Sequence, residues 1–384
     1  MDLSKIWHAF WRRPVRRAAM SGSGVLRAPA PESRVGPRAS AWIDGRWEHG
    51  RFDSGASGPY PALNLDYGLY LPPGEAAAGP DSAAHSFHSA GTRSARPSSA
   101  PGPALVVMLH GCQQSGDMLA RGTRMNVLAD RHGFAVLYPD QTVKRHAHAC
   151  WHWYDPGPLA GGGEAHAIAA MVAQVVETHG FDPTRVYVAG LSAGAGMAAT
   201  LAFRYPQQFA ALAMHSGPAY GAARSVTSAL DVMRRGASGD PLEAVPGDHP
   251  GMPALIIHGA HDEVVNPINL AQLRLQMLAV NHMLGEAGEP ELDAPHLAAG
   301  CACVPVAAPS AAQIHAYRRA DRTLVQTCLV PELGHAWSGG DDTVPYHAAI
   351  GPDASALAWS FFSAHRRLPA RAPAAAAPAH ADTV

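Results

Sequence analysis

The chain has 384 residues, 47% of them apolar and 16% charged, which allows a sizeable core and excludes wholesale disorder. Lys and Arg (29) nearly cancel Asp and Glu (31), and the formal charge of −2 argues against a dedicated nucleic-acid binder, which carries a basic surplus. No run of ~18 apolar residues is present to form a membrane-spanning helix, and five Cys are too few for a disulfide scaffold.

Residues 1–40 read as a tail. Within it, Leu3, Ile6, Trp7, Phe10 and Trp11 recur at i, i+3, i+4, i+7 and i+8, with Arg12, Arg13, Arg16 and Arg17 behind them. That pattern suits a short amphipathic helix lying on a membrane or on a hydrophobic granule through residues 1–20. The plainer alternative is a frayed tail, or a helix docked on its own domain. No apolar stretch follows the positive charges, so no secretory signal peptide is visible, which by itself places the chain in the cytoplasm.

A single α/β unit is expected over 41–367. Apolar patterning resumes near Trp42, and a strand at 67–71 ends at Pro72-Pro73. Residues 74–103 are Ala, Ser, Gly and Pro, the composition of a flexible surface insertion. Strand and helix then alternate. Strands are expected at 104–109, 134–138, 186–189, 210–215, 254–258, 313–317 and 323–330. Helices are expected at 123–132, 164–179, 193–205, 267–283 and 353–365. Residues 217–251 and 285–310 read as irregular, the first of them in the place of a lid, and 368–384 as a disordered Ala/Pro-rich tail. Such alternation defines an α/β fold with a mainly parallel sheet covered on both faces, and its chemistry gathers in loops at the carboxyl ends of the strands.

Gly190-Leu191-Ser192-Ala193-Gly194 is a G-x-S-x-G placed between an apolar strand and a helix. As a string it is weak. In that setting it describes a tight turn that lifts a serine hydroxyl out of the sheet beside a helix N-terminus, with Ser192 as nucleophile. A serine needs a base, and the base needs an orienting acid, each in a loop after a later strand. Asp262, after the strand at 254–258, is the candidate acid, with Glu263 as the fallback. His335, in the loop before the final helix, is the candidate base. The oxyanion of acyl transfer needs two waiting donors. The Ala193 amide is one, and the amide of Cys112 or Gln113, after the strand at 104–109, is the other. His110 in the same loop shapes it. Trp151, Trp153 and Trp337 are candidate substrate walls, each equally able to be core.

LHGCQQSGDMLARGTRMNVLADRHGFAVLYPDQ, CWHWYDP, GGGEAHAIAAMV, DPTRVYVAGLSAGAGMAATLAFRYP and GHAWSGG together resemble the poly(3-hydroxybutyrate) depolymerase-family esterases, from about Tyr67 to His365 with the insertion left out. The resemblance implies an α/β-hydrolase fold, hydrolysis of 3-hydroxyalkanoate esters, an extracellular setting, and Ser192, Asp262 and His335 at the triad positions. Its relatives include feruloyl and acetylxylan esterases, so a carboxylesterase of that type is the rival reading. A catalytically inactive granule-binding module is the reading outside the enzyme class. The polymer-degrading members usually carry a further substrate-binding domain, whereas 17 residues follow Arg367 here; soluble oligomers, short esters or an amorphous granule are the easier substrates. The mechanism calls for no cofactor.

A Cys112–Cys150 disulfide would brace the rim of the site and argue for an oxidising compartment. Cys301 or Cys303 is a candidate partner for Cys328. His146, His148, Cys150 and His152 alternate like metal ligands, but no zinc motif accompanies them and a solvated His-rich loop is expected.

Overall fold

The computed structural model describes residues 44–60, 62–74, 102–154, 163–285, 292, 295–308 and 311–367. The surface helix proposed for residues 1–20 lies outside these, as do the tail from 368 and nearly all of the 74–103 insertion.

Ten strands form one sheet: β1 Arg46–Asp53, β2 Asn64–Leu71, β3 Leu105–Leu109, β4 Ala135–Asp140, β5 Val186–Leu191, β6 Ala211–His215, β7 Ala254–Gly259, β8 Cys301–Val306, β9 Gln313–Arg319 and β10 Arg322–Val330. Their order is β1-β2-β4-β3-β5-β6-β7-β10-β9-β8. The six from β4 to β10 run parallel, and an antiparallel pair closes each edge. Two short strands, β11 Trp337–Ser338 and β12 His347–Ala348, pair separately.

The central strands are apolar along their whole length because both faces are covered. Alternation then divides them between two cores. Leu105, Val107, Val188 and Ile256 pack with α3 (Glu164–His179), α4 (Ala193–Arg204) and α6 (Ile268–Val280). Val106, Met108, Tyr187 and Leu255 pack with α1 (Gly116–Thr123), α2 (Met125–His132) and α7 (Ala354–Ser363). This is the layered α/β architecture expected from the alternating elements.

Several local expectations are corrected. The helix expected at 123–132 is the second of two, because Arg124 adopts φ 55° and breaks the run after α1. The irregular 285–310 segment contains β8, an edge strand exposed along nearly its whole length. Residues 217–251 carry α5 (Val226–Arg235) and a 3-10 turn, Pro241–Ala244. Side chains of α6 tie this segment down: Asn269 Oδ1 accepts from Ala219 N–H, Gln276 Oε1 from Tyr220 N–H, and Gln272 Oε1 from Ala237 N–H. Cys301, Cys303 and Cys328 are all free thiols. Cys328 is buried in β10 and β9 lies between it and β8, so neither edge cysteine reaches it.

Candidate active site

Four loops at the carboxyl ends of β3, β5, β7 and β10 meet at one end of the sheet. Ser192 follows β5 directly and adopts φ 57°, ψ −120°, a conformation that costs a side-chain-bearing residue about 1–3 kcal/mol. Its N–H donates to His215 O at 2.9 Å, and its carbonyl accepts from Gly196 N–H at 3.1 Å, so strand, turn and helix hold the strained residue from both sides. Gly190 and Gly194 are needed here. A Cβ on Gly190 would overlap the Gly194 backbone, and one on Gly194 would overlap the carbonyls of Leu109 and His110. The turn therefore brings β3, β5 and α4 into backbone contact.

Asp262 sits in the turn after β7 and is buried, whereas Glu263 beside it is exposed. Asp262 Oδ1 accepts the amides of Val264 (2.9 Å) and Val265 (2.8 Å). That leaves Oδ2 for His335 Nδ1, at 2.7 Å. Burial pushes the Asp262 carboxyl up, but the His335 imidazole, His258 and the Val265 amide together hold it below the usual carboxylate range. His258 was not singled out in the sequence. It lies under the acid, wholly buried, with Nε2 2.8 Å from Val265 O and 3.5 Å from Asp262 Oδ2.

Ser192 and His335 line one cleft together with Gly111, Cys112, Gln114, Leu191 and Tyr346. Ser192 Oγ is buried and has no hydrogen-bond partner among the described residues. Hydroxyl and imidazole thus share the cleft without yet being bonded, as is common before substrate tightens such contacts.

Of the two amides weighed beside Ala193, that of Gln113 is already engaged, donating to His148 O at 2.7 Å, which corrects that candidate. The Cys112 amide donates to no described residue, and neither does that of Ala193 at the start of α4. His110 is buried and its Nδ1 lies 2.8 Å from Gly111 O, while Gln141 N–H donates to its Nε2 at 3.0 Å. The ring therefore carries its proton on Nδ1 and donates it to the loop.

All three tryptophans are corrected as cleft walls. Trp151 is wholly buried and its Nε1 donates to His110 O at 3.1 Å; Trp337 is buried, donates to Ser355 Oγ at 3.1 Å and stacks on His215. Both are core. Trp153 packs beside α4, where a Cβ on Gly196 would come within 2.9 Å of its ring, but it does not line the cleft. The aromatic wall is Tyr346, in the loop between β11 and β12, which no sequence pattern marked.

Cys112 and Cys150 form a disulfide, so Cys150 leaves the alternating His/Cys set. No group of three or more metal-ligating side chains occurs among the described residues. His146 is pushed down to about 4 by burial and by its neighbours His152 and His148, with Glu164 opposing. Glu164 itself is a buried carboxylate that accepts from Gln141 Nε2, from His152 N–H and from the His152 ring.

A mainly parallel sheet with a strained serine after β5, an acid after β7 and a histidine after β10 is the α/β-hydrolase arrangement. The sequence profile of the family described as Esterase PHB depolymerase matches residues 97–292, just over half of the chain, and the protein belongs to that family. The chain is 38% identical over 185 residues to the poly(3-hydroxyalkanoate) depolymerase C of Paucimonas lemoignei, covering 46% of this chain and 44% of that protein. It is 34% identical over 180 residues to the feruloyl esterase B of Neurospora crassa, covering 43% of this chain and 61% of that one. It is 34% identical over 134 residues to the acetylxylan esterase A of Aspergillus ficuum, covering 34% and 43%. The matches thus span about half the length of these curated relatives. Among solved structures, an acetyl xylan esterase from Aspergillus awamori superposes with a TM-score of 0.54 at 21% identity, covering 83% of this chain and 99% of that one, a likeness of fold.

Proposed function

We propose that the protein is a serine esterase with Ser192 as nucleophile, His335 as base, Asp262 as orienter, and the Ala193 and Cys112 amides as the oxyanion hole. The observation that carries this is the convergence at one cleft of Ser192, a His335 locked to a buried Asp262, and Cys112 with its uncommitted amide, while the uncommitted Ala193 amide follows Ser192 directly in the chain. Because Asp262 Oδ2 accepts the Nδ1 proton, Nε2 is the basic nitrogen of the His335 ring. It takes the Ser192 proton as Oγ attacks the ester carbonyl. The carbonyl oxygen becomes an oxyanion facing the two amides. Collapse breaks the C–O bond, the alcohol leaves with the proton from His335, and an acyl-Ser192 remains. Water activated by the same nitrogen releases the acid and restores the hydroxyl.

We assign the substrate class as short-chain 3-hydroxyalkanoate esters. The match to a poly(3-hydroxyalkanoate) depolymerase supports this, as does a narrow cleft walled by Leu191 and Tyr346 with Trp151 and Trp337 withdrawn into the core. The rival is a carboxylesterase of feruloyl or acetylxylan type, which the other relatives favour. Turnover of 3-hydroxybutyrate oligomers, methyl ferulate and acetylated xylan side by side separates the two. Higher kcat/KM on the hydroxybutyrate oligomers is expected; a preference for ferulate or xylan acetate would transfer the enzyme to the rival class. The Cys112–Cys150 bridge favours work in an oxidising compartment.

A further inference from the structure

We infer that Glu164 is the positioning residue of the oxyanion hole, one buried carboxylate outside the cleft that holds Cys112 through two separate connections. The inference rests on the reading of the Cys112 amide as an oxyanion donor. Glu164 opens α3 and is wholly buried. A buried carboxylate persists only where it is paired and hydrogen-bonded. Here it has the α3 N-terminus, Arg145 Nε at 3.7 Å, and donors on both oxygens. None of these groups lines the cleft, so the carboxylate acts on the chemistry through what it holds.

The first connection runs through Gln141. Its Nε2 donates to Glu164 Oε1 at 2.5 Å and to Cys150 O at 3.2 Å. With that residue held, its backbone N–H reaches His110 Nε2, and the His110 ring donates from Nδ1 to Gly111 O. The Gly111–Cys112 peptide is trans and planar. Pinning its carbonyl on the His110 side therefore turns the Cys112 N–H to the opposite side. The second connection runs through His152, whose N–H donates to Glu164 Oε2 at 2.9 Å. That fixes the segment carrying Cys150, and the disulfide passes the constraint to Cys112. Backbone and side chain of the same residue are thus tied to a single carboxylate.

The test uses the whole protein and p-nitrophenyl butyrate, with a trifluoromethyl ketone as probe, because its hemiketal oxyanion occupies the hole. Glu164→Gln keeps the shape but turns one acceptor into a donor facing a donor, so one connection breaks. The expected result is a kcat lower by about 10–100-fold with KM within about twofold. The trifluoromethyl ketone Ki should weaken by the factor lost in kcat/KM. Gln141→Met, which cuts the first connection and the bond to Cys150 O but leaves the His152 bond and the disulfide in place, should show the same pattern with a smaller factor, and it decides the matter if Glu164→Gln does not fold. A folded variant with wild-type kcat, or a loss of kcat with an unchanged Ki, would overturn the proposal. A wild type without esterase activity, or with activity surviving Ser192→Ala, would overturn the parent reading, and this one with it.

Discussion

The Tyr346 hydroxyl donates to Gln113 Oε1 at 3.2 Å, joining the loop after β3 to the loop between β11 and β12 across the mouth of the cleft. Both residues have positive φ, 64° and 63°, so two strained turns meet at this bond. Tyr346 is therefore expected to limit the length of the acyl or alcohol group that enters. In a series of p-nitrophenyl esters from acetate to octanoate, Tyr346→Ala should shift the optimum to longer chains, raising the octanoate-to-butyrate ratio of kcat/KM by about 10-fold, in keeping with the worth of one or two methylenes in a pocket. Tyr346→Phe, which keeps the bulk, should leave the optimum in place. An unchanged profile for the alanine variant would remove Tyr346 from the wall.

Gly194 tests the packing of the turn. A methyl group there would meet Leu109 and His110 carbonyls, which are backbone atoms in a buried strand end and cannot rotate aside. Gly194→Ala should lower stability by about 1–3 kcal/mol, the usual cost of overpacking. Urea denaturation of both proteins measures it, and equal midpoints would contradict the contact.

Much of this site was legible because strand-to-loop transitions mark themselves. An apolar run followed by Gly-x-Ser-x-Gly, or by Gly-Ala-His-Asp, announces both a strand end and a polar side chain stationed there. Side-chain direction does not announce itself. Trp151 and Trp337 stand next to site segments yet point inward, while Tyr346 lies in a turn with no periodic pattern. The edges were the least legible part of the fold. β8 is exposed on both sides and shows no in/out alternation, so its CACVPV reads as loop until β9 pairs with it. Glu164 was hidden for another reason: an acidic residue at a helix start is ordinary, and only its burial reveals a second task.

The Cys112–Cys150 bridge closes a loop spanning 38 residues of sequence separation. Replacing both cysteines by alanine should cost about 2–4 kcal/mol, as for bridges of this span, and, on the proposed assignment of the Cys112 amide to the oxyanion hole, should lower kcat. Alkylation without reductant followed by mass spectrometry should show the linked peptides. Two free thiols at these positions would contradict the bridge.

Stability should fall on mild acidification. His215, His249, His258, His347 and His365 are each held below the ordinary imidazole value, first of all by burial, and His146 is lowered to about 4. Below about pH 6.5 the unfolded chain therefore binds more protons than the folded one. The contribution of these residues is complete above that pH and declines as pH drops through their depressed folded values. Asp262, also lowered, acts in the same direction in a more acid window, below the ordinary carboxyl value of 3.8. Urea midpoints should stay level from pH 8 to about pH 6.5 and fall from there to pH 5. A midpoint that stayed level or rose below pH 6.5 would contradict the neutral buried histidines.

The most direct test of the account is the site and dependence of covalent labelling by a fluorophosphonate. Tandem mass spectrometry should find the adduct on Ser192 in the wild type, with labelling slowed by at least about 10³-fold in His335→Ala, the scale on which a triad base acts. An adduct on another serine, or labelling of Ser192 at the wild-type rate without His335, would contradict it.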